Sequence, residues 1–174
     1  MSADASTSPS DTSLEIVRLR GHTILCLQGF RGEGYSPEFV ANLGLIHRRL
    51  AEHPEQSVEV LDSPDVVCAA CPHRQPVGCT LNGTDSEAEM RAQDRHVLAL
   101  LGLTAGQRLR WGDILDRIRA SVRGDDLPAI CGTCRWLPLG YCRDGIDRLR
   151  AGADQADTGF ITPERLRSGR PGPS

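Results

Sequence analysis

Apolar and polar residues alternate over EIVRLR (15–20) and again over SVEVLD (57–62), the period of a half-buried strand. Between them, HTILCLQGF is a short apolar segment predicted to be a buried helix. GFRGEGYS follows as a glycine-rich turn, then SPEFVANLGLIHRRL as a clear helix. Ser36 suits its N-cap and Pro37 its first turn. Phe39, Leu43, Ile46 and Leu50 recur at helical steps and make one apolar stripe, which Pro54 ends. Further on, SEAEMRAQDRHVLALLG predicts a helix with Gly102 as its C-terminal cap. GDILDRIRASV predicts another, with Ile114, Leu115, Ile118 and Val122 turned inward, and RDGIDRLRAG a last short one. Helix dominates. The expected fold class is α+β: a small, mainly helical single domain with two short strands and two cysteine-rich metal-binding loops.

The chain has 174 residues, which suits one domain. Residues 1–13 and 153–174 are small, polar and without apolar rhythm, so a disordered N-terminal tail and a flexible C-terminal tail are expected around a cysteine-rich metal-binding domain over 14–152. A core near that size folds without covalent staples, so the cysteines serve another purpose. All 20 basic residues are arginine. Schiff-base and P-loop lysine chemistry are therefore excluded. The net charge of −3 speaks against a nucleic-acid partner. Arg117, Arg119 and Arg123, beside Asp113 and Asp116, are expected on a solvated charged face. No apolar run is long enough for a membrane span, and the N-terminus lacks the pattern of a secretory signal. The expected location is cytoplasmic, where disulfides are rare. Seven cysteines, an odd number, also resist complete pairing.

Six of those cysteines form a repeat. CAACPHRQPVGC (Cys68, Cys71, Cys79) and CGTCRWLPLGYC (Cys131, Cys134, Cys142) are both C-x2-C-x7-C. An acid, a proline and an apolar pair precede each, and a glycine, Gly78 or Gly140, stands shortly before the last cysteine. Two thiols three positions apart in a tight turn can aim at one point, and thiolates select zinc, copper(I) or iron–sulfur clusters. Two separated C-x2-C pairs match a four-cysteine zinc site. The common ferredoxin run is absent, which removes one cluster signature without removing clusters. Buried inert cysteine and a thioredoxin-like dithiol are the competing readings; neither copy follows a clear buried strand and opens a long helix, as the latter requires. Each triplet needs one more ligand to reach four. Cys26 and His22, four apart on one helical face, are the candidates, and His73 inside the first copy is another.

The remaining polar residues carry less. His47 and His53 are expected as surface or cap residues, and Asp94 and His96 on an ordinary polar helix face. Trp136 is expected to shield a site from water.

The blocks RLRGHTILCLQGFRGEGYSPEFV, DVVCAACP and ICGTCRWLPLGYC, in that order, resemble the bacterial and archaeal domain-of-unknown-function family 1284 over residues 16–145. Some members of that family are described as iron–sulfur binding proteins, which implies cysteine ligation. The family's first block has two adjacent histidines before its cysteine; here the positions hold His22 and Thr23. The expected function is a cysteine-ligated metal-binding protein with an iron–sulfur cluster, serving electron transfer or redox sensing with a protein or redox partner. The alternatives are a zinc-stabilised protein-interaction module and a metalloenzyme using His22 near the metal.

Overall fold

A computed structural model describes residues 15–153. The predicted tails, 1–13 and 153–174, lie outside the described residues apart from Ala153, which follows the last helix. Strand β1 (Val17–Arg20) pairs parallel with β2 (Ser57–Leu61), with Val17 opposite Val58 and Leu19 opposite Val60. All four of these side chains are buried. Parallel neighbours need a crossover; helices α1 (Gly21–Gly29) and α2 (Pro37–Glu52) supply it. The Ser36 hydroxyl accepts from the Phe39 amide at 3.1 Å, the N-cap that the sequence predicts.

Two two-residue strands, β3 (Arg74–Gln75) and β4 (Gly78–Cys79), then make a small antiparallel ribbon. Helix α3 (Ser86–Leu100) leads to β5 (Arg108–Arg110), which pairs antiparallel with β2 and completes a three-stranded sheet in the order β1-β2-β5. Helix α4 (Trp111–Ser121), the single-turn α5 (Leu127–Cys131) and α6 (Tyr141–Arg150) follow. The α+β reading therefore holds, with more strands than the two expected. Strand β5, RLR, is too short for its alternation to stand out, and β3 and β4 exist only through each other.

Helix α1 is central. Seven of its nine residues are buried, which is why its sequence is apolar on nearly every side. It packs between α3 and α6, and glycine sets how closely. A Cβ on Gly21 would overlap the backbone of Asp94 in α3, and one on Gly145 of α6 would overlap the carbonyl of Gln28 in α1. One on Gly29 would come within 2.7 Å of the Cys142 sulfur.

Two polar residues lie elsewhere than expected. His47 is 4% exposed, on the inner face of α2 with Phe39, Leu43 and Leu50, and its ring lies 5.8 Å from that of Phe30. Ile46, expected in the stripe, is only partly buried. Burial pushes the His47 imidazole down to about 4, outweighing a hydrogen bond with the Leu27 backbone. Asp94 is fully buried rather than on a polar face. It shares the phase of Val97, Leu98 and Leu101, all buried. His53, by contrast, is the C-cap of α2, as expected.

Candidate functional site

The two C-x2-C-x7-C copies repeat in backbone as well as in sequence. In the first, the Cys71 amide donates to the Cys68 carbonyl at 3.0 Å and the Arg74 amide to Cys71 at 3.1 Å. In the second, the Cys134 amide donates to Cys131 at 3.1 Å and the Leu137 amide to Cys134 at 3.2 Å. Each copy is thus two overlapping turns that bring its paired cysteines together. Beyond them the copies part. The first runs into the β3–β4 ribbon, which carries Cys79; the second runs through a turn into α6, which carries Cys142. Gly78 and Gly140 both hold positive φ, 123° and 75°, where a side chain would strain the backbone. The triplets are therefore not simply loops: Cys131 ends α5, Cys79 sits on a strand and Cys142 on a helix.

All seven cysteines are free thiols, and all seven line one cavity together with His22. The cavity is about 190 Å³, many times the ~10–15 Å³ that a single water needs. Its thiols divide into two banks. Burial pushes the Cys26 thiol well up, and the nearby Cys142, Cys134 and Cys131 push it further. Burial likewise raises Cys131 to about 12 and Cys142 to about 11, each with Cys134 as its next contributor. In the other bank, burial raises Cys71, with Cys79 acting the same way. Burial also lifts Cys68 to about 12; Asp65 adds to this and Arg20 opposes it. Thiols so raised stay protonated near neutral pH, the opposite of an activated nucleophile.

Behind the bank of Cys68, Cys71 and Cys79 lies a buried ionic network that sequence reasoning missed. Arg20, 1% exposed, ends β1. Its Nε donates to Asp94 Oδ2 at 2.8 Å, its Nη2 to Glu87 Oε1 at 3.1 Å, and its Nη1 reaches within 3.9 Å of the Cys68 sulfur. Burial alone works against the guanidinium charge, but Asp94 and Glu87 more than offset it and raise the pKa. The other Asp94 oxygen accepts from the His22 backbone amide at 3.0 Å and lies 2.7 Å from His22 Nδ1. Glu87 Oε2 accepts from the Cys79 amide at 2.8 Å, and the Ser86 hydroxyl lies 3.5 Å from the Cys79 sulfur. Asp65, 8% exposed, accepts from the amides of Val67 and Cys68 and, through its other oxygen, from that of Arg20. The one available signal was Asp94 itself, an acid in phase with the apolar residues of its helix.

Aromatic side chains join the banks. Tyr35, from the turn after α1, has its ring 5.0 Å from that of His73, 4.6 Å from that of Trp136 and 5.2 Å from that of Phe39. Trp136 lines the cavity beside Cys134, consistent with the shielding role expected for it. His73 is tied to Tyr35 by an edge contact; the ring is packed against the site's wall rather than among the cavity-lining residues.

The donor set suits a soft metal: thiols, one imidazole and no lysine. Among the described residues, no three of the His, Cys, Asp and Glu side chains already converge on a point where one ion would sit. The molecule is thus an α+β domain built around a cavity walled by free cysteines. The chain belongs to the family described as "Protein of unknown function (DUF1284)", whose model matches residues 34–140. That stretch holds Tyr35, both C-x2-C pairs and Cys79; His22 and Cys26 precede it and Cys142 follows it. No curated protein and no solved structure matches the chain. No helix among the described residues is long and apolar enough to cross a membrane.

Proposed function

We propose that this protein is a cysteine-ligated metal-binding protein whose cavity holds an iron–sulfur cluster and which serves electron transfer or redox sensing toward a partner protein. The observation that carries this reading is the gathering of seven free thiols, from α1, α5, α6, β4 and the turns 68–71 and 131–134, on the wall of one cavity. Seven separate cysteines reach one place only if the fold is arranged to put them there. Iron–sulfur clusters take thiolate ligands at several iron atoms and supply a one-electron couple when bound. Ligands to such a group need not meet at a point, so spread thiols around a cavity suit it. The chain's own part is to hold the ligands, exclude water with Tyr35 and Trp136, and set the local charge through Arg20.

Zinc is the second reading, favoured by the paired C-x2-C turns with their repeated backbone hydrogen bonds. The two are separated by purifying the full chain without oxygen. A brown protein containing iron and sulfide, whose visible absorption bleaches with dithionite, supports the cluster. A colourless protein that contains zinc, and that takes up no iron on anaerobic reconstitution, overturns it.

A further inference from the structure

We infer that α1 shares eight ligands between two separate metal centres: His22 completes the set of Cys68, Cys71 and Cys79, and Cys26 completes the set of Cys131, Cys134 and Cys142. The inference rests on the metal-binding reading above and says which residues serve which centre. His22 and Cys26 are four apart on one helical face. The sequence alone offers both to either triplet; the structure gives each different neighbours.

Cys26 belongs with the second triplet. Gly29, three residues on along α1, lies against Cys142, with its missing Cβ within 2.7 Å of that sulfur. Cys26 stands three positions before Gly29 on the same face of α1, and so faces the side of the helix that Cys142 occupies. That makes a set of four thiols, three from the copy and one from α1, in the number that structural zinc sites and iron–sulfur clusters both use.

His22 belongs with the first. Its Nδ1 lies 2.7 Å from Asp94 Oδ1, which suits the neutral tautomer that donates from Nδ1 and leaves the lone pair on Nε2. A carboxylate behind one ring nitrogen is the usual support of a metal-binding histidine. From Asp94 a chain of direct contacts leads to the bank of the first copy, Cys68, Cys71 and Cys79: Asp94 to Arg20 Nε, Arg20 Nη1 to the Cys68 sulfur, Arg20 Nη2 to Glu87, and Glu87 to the Cys79 amide. The same network therefore positions His22, Cys68 and Cys79. Three thiols and one imidazole form a recognised four-ligand set. Asp94 acts as a positioning residue, through His22 and Arg20.

The test uses the full chain, reconstituted without oxygen, with iron, sulfide and zinc measured per chain beside an electron paramagnetic resonance spectrum. Cys26→Ala and Cys142→Ala are each expected to lose about half of the metal, and so is their combination, because all three remove one centre of four ligands. Cys26→Ala combined with Cys68→Ala is expected to lose nearly all of it. His22→Cys keeps a ligand in place, so it is expected to retain the metal and alter the spectrum of one centre. Asp94→Asn is expected to weaken that same centre by about 10–100-fold in affinity and leave the other unchanged. One centre per chain in the wild type overturns the inference while the metal-binding reading stands. So does a Cys26→Ala/Cys68→Ala variant that keeps as much metal as either single variant, or a His22→Cys spectrum identical to wild type. A wild-type protein that takes up no metal overturns both.

Discussion

His73 and Trp136 occupy the same place in the two C-x2-C-x7-C copies, two residues after the second cysteine, and their rings pack against the same residue, Tyr35, at 5.0 and 4.6 Å. The repeat therefore extends from the cysteines to the scaffold: one aromatic side chain outside both copies fastens them together. Each such pair contributes about 0.5–1.5 kcal/mol beyond the area it buries. Tyr35→Ala is expected to cost about 2 kcal/mol or more in urea unfolding. Tyr35→Phe, which keeps the ring, is expected to stay within about 0.5 kcal/mol of wild type. An equal loss in both variants would show that the hydroxyl, not the ring, matters.

The contact between α1 and α6 depends on glycine. A methyl at residue 145 would overlap the Gln28 carbonyl, and backbone cannot yield as a flexible side chain can. Gly145→Ala is expected to destabilise by about 1–3 kcal/mol or more, although alanine is the better helix former. Gly44 in α2 supplies the control, since a Cβ there would meet only Phe30, at 3.9 Å. Gly44→Ala is expected to stabilise by about 0.5–1 kcal/mol. Thermal unfolding of the two variants should shift in opposite directions.

Arg20 and Asp94 are both within 1% of complete burial, and Asp94 supplies one of the guanidinium's two carboxylate partners. Removing one member of a buried pair strands the other's charge, at a cost of about 3–5 kcal/mol. Asp94→Ala is expected in that range. Arg20→Met combined with Asp94→Ala is expected to cost clearly less than the two single losses added together, because neither charge is then stranded. Additive losses in denaturant unfolding would mean that the two side chains do not act as a pair.

His47 provides a pH dependence. Its imidazole is held near 4, below its ordinary 6.5, by burial. Between those values the unfolded chain binds the proton more readily, so stability rises with pH. The contribution is complete above about pH 6.5 and is lost as pH falls toward 4; the gap corresponds to roughly 3 kcal/mol. His47→Leu removes the titrating group. Its unfolding free energy, measured from pH 7 to pH 4, is expected to fall less steeply than that of wild type. Parallel curves would place the imidazole in water.

Much of the frame was legible in the chain. The Ser36–Pro37 start of α2, the alternation of VRLR and SVEVL and the apolar run of α1 are local patterns, and local patterns survive in any fold that uses them. The likeness of the two cysteine copies, and the pairing of His22 with Cys26 on one face, also follow from spacing alone. What the sequence could not decide was partnership. The spacing 22–26 says that imidazole and thiol share a face of α1, and nothing about what surrounds each; the packing of Gly29 on Cys142 and the reach of Arg20 from Asp94 to Cys68 appear only in the folded chain. Asp94 and His47 were misjudged for the same reason: a polar residue on a helix is assigned to water until a partner or a neighbouring element claims it. Those claims come from residues far away in the chain, 74 positions in the case of Arg20 and Asp94, and only the closed tertiary structure brings them within a hydrogen bond.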